Sequence, residues 1–182
     1  RAPEEHRGED AFALWDFIVG NNIQIVGSIG NGTDGQQGSR PWWPEEPNTV
    51  IQCPEYQVEQ KLKADAGPIA RRVLEVTDYG GETTPIQHLQ KHGAGALDGV
   101  LKSEEEFAMF YIMIKELHRQ SGSNGPLLLQ CSTGQCGSAC FCVVDACVRN
   151  ALDAGTVDVP RVLRMYRDLR PGLIPTLAEY VF

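Results

Sequence analysis

No apolar run in this chain approaches the roughly 20 residues that a membrane-spanning helix needs, so nothing in it reads as a transmembrane segment. Basic charge is scarce: 16 Lys and Arg stand against 24 Asp and Glu, for a formal charge of −8. That balance argues against nucleic acid or an anionic membrane face as the main partner, because both call for a positive surface. Cys-x-x-Cys pairs are missing although the chain has six cysteines. Zinc sites favour that spacing, and Cys140, Cys142 and Cys147 fall along one expected helix on different faces, so no metal site is read. Arg1 to Asp10 has no apolar segment that would serve as a signal peptide, and the missing initiator Met reads as the start of a fragment of something longer. Repeats, low-complexity tracts and linkers are also missing. The 182 residues are therefore read as one domain, 1–182, with room for a real core.

What is present is ordinary globular composition, 42% hydrophobic and 22% charged. Five of the six cysteines, Cys131, Cys136, Cys140, Cys142 and Cys147, lie within 17 residues, and Cys53 stands apart. A core of this size does not need disulfides, so reduced and mostly buried thiols in a cytosolic setting are expected. Asp10 to Val19 carries Phe12, Trp15 and Ile18 at helical spacing, and Ile23 to Ile29 reads as a buried strand. Gly30 to Asn48 reads as a long surface connection anchored by Trp42 and Trp43. Strands are expected at Tyr56–Leu62, Arg72–Thr77 and Pro85–Gln90, with a turn at Asp78 to Gly81 and a glycine-rich loop from Lys91 to Leu101. Ser103 with Glu106 forms a capping-box pattern, and the helix it opens stripes Phe107, Phe110, Tyr111, Ile114 and Leu117 along one face. Glu104, Glu105 and Glu106 read as ordinary first-turn acid that matches the helix dipole. Asp158 with Pro160 starts another helix, which Arg170-Pro171-Gly172 stops, and Thr176 with Glu179 repeats the capping-box pattern. Strands interleaved with helices make the chain α/β.

The most informative segment runs Leu127-Leu128-Leu129-Gln130-Cys131-Ser132-Thr133-Gly134-Gln135-Cys136-Gly137-Ser138-Ala139. An apolar strand delivers a cysteine to a small-residue loop, and a helix follows. Such a loop points several backbone N–H groups one way at a helix N-terminus, which cradles an anion and favours a thiolate. No Arg or Lys stands in the loop to neutralise a bound dianion. Arg161, Arg164, Arg167 and Arg170 recur every three residues, but that spacing rotates around a helix, so a solvated face is expected. His88 and His118 are read as structural histidines rather than ligands.

Gln130 to Cys142 resembles the signature of the protein-tyrosine phosphatase family, H-C-S-A-G-x-G-R-T-G-x-F-C. Arg170-Pro-Gly-Leu-Ile-Pro-Thr-Leu-Ala-Glu-Tyr180 is similar to that family's R-P-G-M-V-Q-T-x-x-Q-Y. Trp42-Trp43-Pro44-Glu45-Glu46 resembles its Y-W-P-E-x segment, and Ile86 to Gln90 its strand entering the W-P-D loop. The resemblance implies a central mixed sheet flanked by helices, with the family's N-terminal portion missing. It is closest to receptor-type members, and among these to the membrane-distal second domain, on the cytoplasmic side of the plasma membrane in a single-pass receptor.

In that family the signature Cys attacks phosphorus, the signature Arg clamps the phosphoryl oxygens, a W-P-D Asp protonates the leaving group, and a Gln positions water. Cys131 falls on the nucleophile and is expected to be an inert relic under the loop, because no Arg or His⁺ beside it favours the thiolate; Ser138 falls on the hydroxyl after the Arg. Gly137 falls on the Arg, Gln130 on the preceding His, and Pro175 on the water-positioning Gln. Counted from His88 the W-P-D slot is Ala94-Gly95-Ala96, so Ala96 stands at the general acid, with Asp98 the nearest substitute. Ser132, Thr133, Gly134, Gln135, Cys136 and Ser138 are the remnant of the phosphate loop. The resemblance therefore implies a pseudophosphatase that needs no cofactor and acts on protein partners, such as an adjacent active phosphatase domain or an adaptor. Two alternatives stay open: a weak phosphatase using Cys131 with Asp98, and a redox sensor pairing Cys131 with Cys136. Phosphotyrosine binding through the loop N–H groups stays open as well.

Overall fold

The computed structural model describes residues 8–30, 41–92, 103–131 and 134–181. Six strands form one sheet: β1 (Ile25–Ile29), β2 (Val50–Gln52), β3 (Tyr56–Ala66), β4 (Ile69–Asp78), β5 (Thr83–Lys91) and β6 (Leu127–Cys131). Their order is β2-β3-β4-β5-β1-β6. The β2 to β5 neighbours run antiparallel, whereas β1 lies parallel to both β5 and β6, so the sheet is mixed as expected. Strands β3, β4 and β5 run longer than their apolar alternation suggested. β3 runs on through largely exposed residues that still close ladder hydrogen bonds, whereas β4 begins earlier, at the buried Ile69 and Ala70. The short β2 has exposed ends and gave no periodic signal.

The helices are α1 (Gly8–Gly20), α2 (Glu104–Ser121), α3 (Gly137–Ala154), α4 (Val159–Leu169) and α5 (Leu177–Val181). Trp15 and Ile18 of α1 pack on one face of the sheet with Trp42, Trp43, Val26, Leu74 and Ile86. Phe107, Phe110 and Ile114 of α2 pack on the opposite face with Phe141 and Val143 of α3 and Val162 and Leu163 of α4. The tryptophans anchor their segment as expected: Trp15 donates from Nε1 to the Trp42 carbonyl at 3.0 Å, and Trp42 and Trp43 meet edge to face.

Ser103 caps α2, its hydroxyl accepting from the Glu106 N–H at 3.2 Å. The Glu106 carboxylate does more than match the helix dipole: it reaches Lys91 Nζ at 2.9 Å. Thr176 and Glu179 form the full reciprocal box: Glu179 Oε2 accepts from the Thr176 N–H and hydroxyl, and the Thr176 hydroxyl accepts from the Glu179 N–H. His88 bonds Ser28 Oγ at 2.9 Å, and His118 donates to the Gly125 carbonyl, so both histidines are structural.

Candidate functional site

Three parallel strands end in one row, with Ile29 of β1 in register with Lys91 of β5 on one side and Cys131 of β6 on the other. The carboxyl end of parallel strands is where α/β sheets place their ligands. Leu127 to Leu129 hold β6 against the core, and the chain then turns at Gly134, whose φ of +64° suits a residue without a β-carbon. Cys136 caps α3, and the helix begins at Gly137, two residues earlier than the apolar pattern starting at Ala139 indicated. The small residues at 137 and 138 give no periodic signal.

The loop is built as a cradle around sulfur. Ser138 Oγ lies 3.1 Å from Cys131 Sγ. Backbone N–H groups of Ser138, Gly134 and Cys136 also point at that sulfur. Burial alone would raise the Cys131 thiol, but the hydroxyl and these N–H groups together outweigh it and hold the thiol below its ordinary 9.0. Cys53, Cys142 and Cys147 contrast with it. Burial pushes Cys53 up to about 11, with Asp16 adding to the effect, and burial likewise raises Cys142 and Cys147. All six cysteines are thiols, and no cluster of His, Cys, Asp and Glu among the described residues suits a metal ion.

At Gly137 the Arg slot holds no side chain, and its space is taken. A β-carbon built there would stand 2.7 Å from Ile29 Cγ2 and 3.1 Å from Ile29 Cβ, both on a stiff β-branched side chain. Gln130 occupies the His slot in β6, with its buried Oε1 left without a partner. The expectations for Ala96, Asp98, Ser132 and Thr133 fall outside the described residues.

The C-terminal segment closes the back of the loop. Ile174 N donates to the Gln135 carbonyl at 2.9 Å, which brings the Pro175 slot beside the cradle. Ile174 itself has a φ of +50°, an uncommon conformation for a β-branched residue. Arg167 holds that turn, donating from Nε to the Leu173 carbonyl at 2.9 Å and from Nη2 to the Ile174 carbonyl at 2.6 Å. Arg170 packs on the loop: a β-carbon at Gly134 would stand 3.1 Å from both of its terminal nitrogens.

Two expectations change here. A positive side chain does stand beside the cradle, although the loop itself carries none. The four arginines of the three-residue repeat are solvent-exposed as expected, but Arg167 and Arg170 also direct their guanidinium groups onto the turn and the loop. Sequence reasoning missed Ile29, Arg167 and Arg170 because each reaches the loop through tertiary packing. The Arg-Pro-Gly stop was the only signal that pointed toward Arg170.

A strand-borne cysteine whose sulfur is ringed by N–H groups at the start of the next helix is a cradle suited to a thiolate or an oxyanion. The sequence pattern of the protein-tyrosine phosphatase family matches residues 9–182, and the chain belongs to that family. It is 27% identical, over 93% of its length, to the probable tyrosine phosphatase protein J2 of Microplitis demolitor bracovirus, of which it covers 57%. It is also 26% identical to receptor-type tyrosine-protein phosphatase S of Gallus gallus, covering 93% of this chain and 11% of that protein. Tyrosine-protein phosphatase Lar of Drosophila melanogaster is 25% identical over the whole chain, which corresponds to 9% of Lar. The chain thus spans less than two thirds of each of these relatives. No helix among the described residues is long and apolar enough to cross a membrane.

Proposed function

We propose that this domain keeps the phosphatase cradle but does not turn over phosphate esters, and that it works by protein contact. The observation that carries this reading is at Gly137, where no side chain is available to clamp a phosphoryl group and Ile29 stands 2.7 Å from the β-carbon position. Arg170 does not substitute: it lies against Gly134, on the turn of the loop, whereas the clamp belongs at the start of the helix.

Removing one electrostatic donor from such a site costs on the order of 10²–10³ in rate. General acid catalysis is worth roughly 10²–10⁴ more, and the sequence offers Ala96 and Pro175 where the acid and the water-positioning amide belong. These losses are not additive, but together they remove useful turnover. The cradle, by contrast, is intact enough to keep Cys131 ionisable, so the protein retains a surface shaped for an anionic side chain without the means to cleave it.

The parent protein is proposed to be receptor-type, with this chain as its membrane-distal second domain on the cytoplasmic side, regulating an active neighbour or docking an adaptor. Similarity to the receptor-type relative of Gallus gallus supports that placement. A parent transcript encoding an apolar span and a second phosphatase domain upstream decides for the receptor.

The test of inactivity is hydrolysis of a small aryl phosphate by the purified chain against a Cys131→Ser control. Equal background rates are expected. Turnover that disappears with Cys131→Ser overturns the reading and makes the domain a weak phosphatase.

A further inference from the structure

Helix α4 turns one stripe of its surface, Pro160, Leu163, Arg164 and Arg167, toward α5. These positions fall at helical spacing, three, four and seven residues on from the first, so they share a face although the arginine repeat as a whole rotates around the helix. Leu177 and Tyr180 of α5 stand opposite, and the two walls bound an open groove of about 410 Å³. Its floor is packed, since Leu163 and Ile174 are buried. Its far wall is uncovered: Leu177 is 76% exposed and Tyr180 40% exposed. The two arginines differ. Arg167 is engaged, its Nε and Nη2 donating to the Leu173 and Ile174 carbonyls. Arg164 is exposed and has no hydrogen bond or ion pair among the described residues. The acids of this region lie elsewhere. Asp158 caps α4 by accepting from the Arg161 N–H, Glu179 is held in the Thr176 box, and neither they nor Asp168 line the groove. The charged side chains that do line it are both arginines, on a chain whose formal charge is −8.

We propose that this groove takes an acidic segment of a partner protein, with an apolar side chain seated between Leu163 and Leu177 and an adjacent Asp or Glu carboxylate on Arg164. The proposal rests on the protein-contact role advanced above and gives that role a place and a partner chemistry. Charge complementarity selects the occupant. A carboxylate meets the unengaged guanidinium of Arg164 through two parallel N–H···O bonds. A purely apolar segment would strip water from Arg164 and leave it unpaired, which costs free energy. A basic segment would be repelled by both arginines and drawn instead to the acidic remainder of the chain. The apolar part of the groove fits the same occupant. Its buried floor and exposed far wall leave room for one or two anchoring side chains of a short segment, the arrangement by which peptides dock in preformed grooves.

The test pans a random peptide library displayed on phage against the purified chain, with the Arg164→Glu, Leu177→Asp double variant as counter-target. Both side chains are exposed, so the variants are expected to fold. Peptides enriched on the wild type are expected to carry Asp or Glu beside a large apolar residue. A labelled synthetic copy of the most enriched peptide is then titrated by fluorescence anisotropy. Arg164→Glu is expected to weaken its binding by about tenfold or more, Leu177→Asp is expected to weaken it as well, and added NaCl is expected to weaken it in the wild type. No enrichment over the double variant, enriched peptides without acidic residues, or binding that Arg164→Glu leaves unchanged overturns the proposal. Self-association of the chain that Leu177→Asp abolishes overturns it too, and makes the groove an interface between copies. Aryl phosphate hydrolysis is read separately. Turnover dependent on Cys131 overturns the inactive reading and leaves the groove standing, whereas failure of the groove without turnover moves the contact role to another face.

Discussion

Ile29 stands where a side chain at position 137 would have to begin: its Cγ2 lies 2.7 Å from the β-carbon position of Gly137. The two residues are distant in sequence, yet β1 and the start of α3 pack so closely that only glycine fits. The site has lost the room for an arginine as well as the arginine.

Gly137→Ala is therefore expected to destabilise the domain by about 1–3 kcal/mol through overpacking. Ile29→Ala is expected to destabilise it by leaving a cavity. Combined, the two should cost less than their sum, because the second change makes room for the first. Urea unfolding of the four proteins measures the coupling, and simple additivity would show that the contact is not limiting. By the same reasoning Gly137→Arg requires Ile29→Ala before the guanidinium can enter the cradle.

Cys131 should alkylate ahead of Cys53, Cys142 and Cys147, whose thiols are raised by burial. The pH at which its iodoacetamide rate is half-maximal is expected below the ordinary 9.0. Ser138→Ala removes the hydroxyl 3.1 Å from the sulfur and is expected to move that midpoint upward. A midpoint that does not move would mean that the backbone N–H groups alone hold the thiolate.

Lys91 is 1% exposed and its partner Glu106 is 38% exposed. Removing the carboxylate leaves a buried ammonium without a counter-charge, whereas Lys91→Met removes the charge and keeps the apolar stem. Glu106→Gln is therefore expected to destabilise more than Lys91→Met, by about 1 kcal/mol or more. Denaturant midpoints of the two variants decide it, and the reverse order would show that the pair is not the anchor of α2 on β5.

His88 is fully buried against Trp42 and Trp43, with ring centroids 5.2 and 4.4 Å away, and its Nδ1 has no partner. Burial first, then the Arg72 and His92 charges, hold it well below its ordinary 6.5. A folded value below the unfolded one means the neutral ring contributes its full stability above pH 6.5. That contribution declines as acid protonates the unfolded chain. Between pH 6.5 and 5.5 the wild type is expected to lose up to about 1 kcal/mol more than His88→Gln. Equal losses in urea titrations would place the acid sensitivity elsewhere, His92 being the next group to examine.

The α/β class, the order of the helices and both capping patterns were legible in the sequence, because apolar period, proline and cap residues are local signals. The ends of β3, β4 and β5 were not: β3 runs on past its last buried side chain, while β4 begins at the buried Ile69 and β5 ends at the buried Lys91, outside the apolar alternation. In the site, Cys131, Ser138 and Gly137 came directly from the motif.

The sequence by itself determined which chemical groups the loop can offer: the cysteines at 131 and 136, the serines at 132 and 138, and no arginine among them. Only the tertiary structure decided what surrounds those groups. It laid Arg170 on Gly134, held the strained Ile174 turn with Arg167 and put Ile29 into the vacated slot. The reason is physical. Side-chain identity and short-range backbone preference are written residue by residue, whereas which distant atoms share a cavity depends on how three strand ends and two helix ends pack at close-packed density.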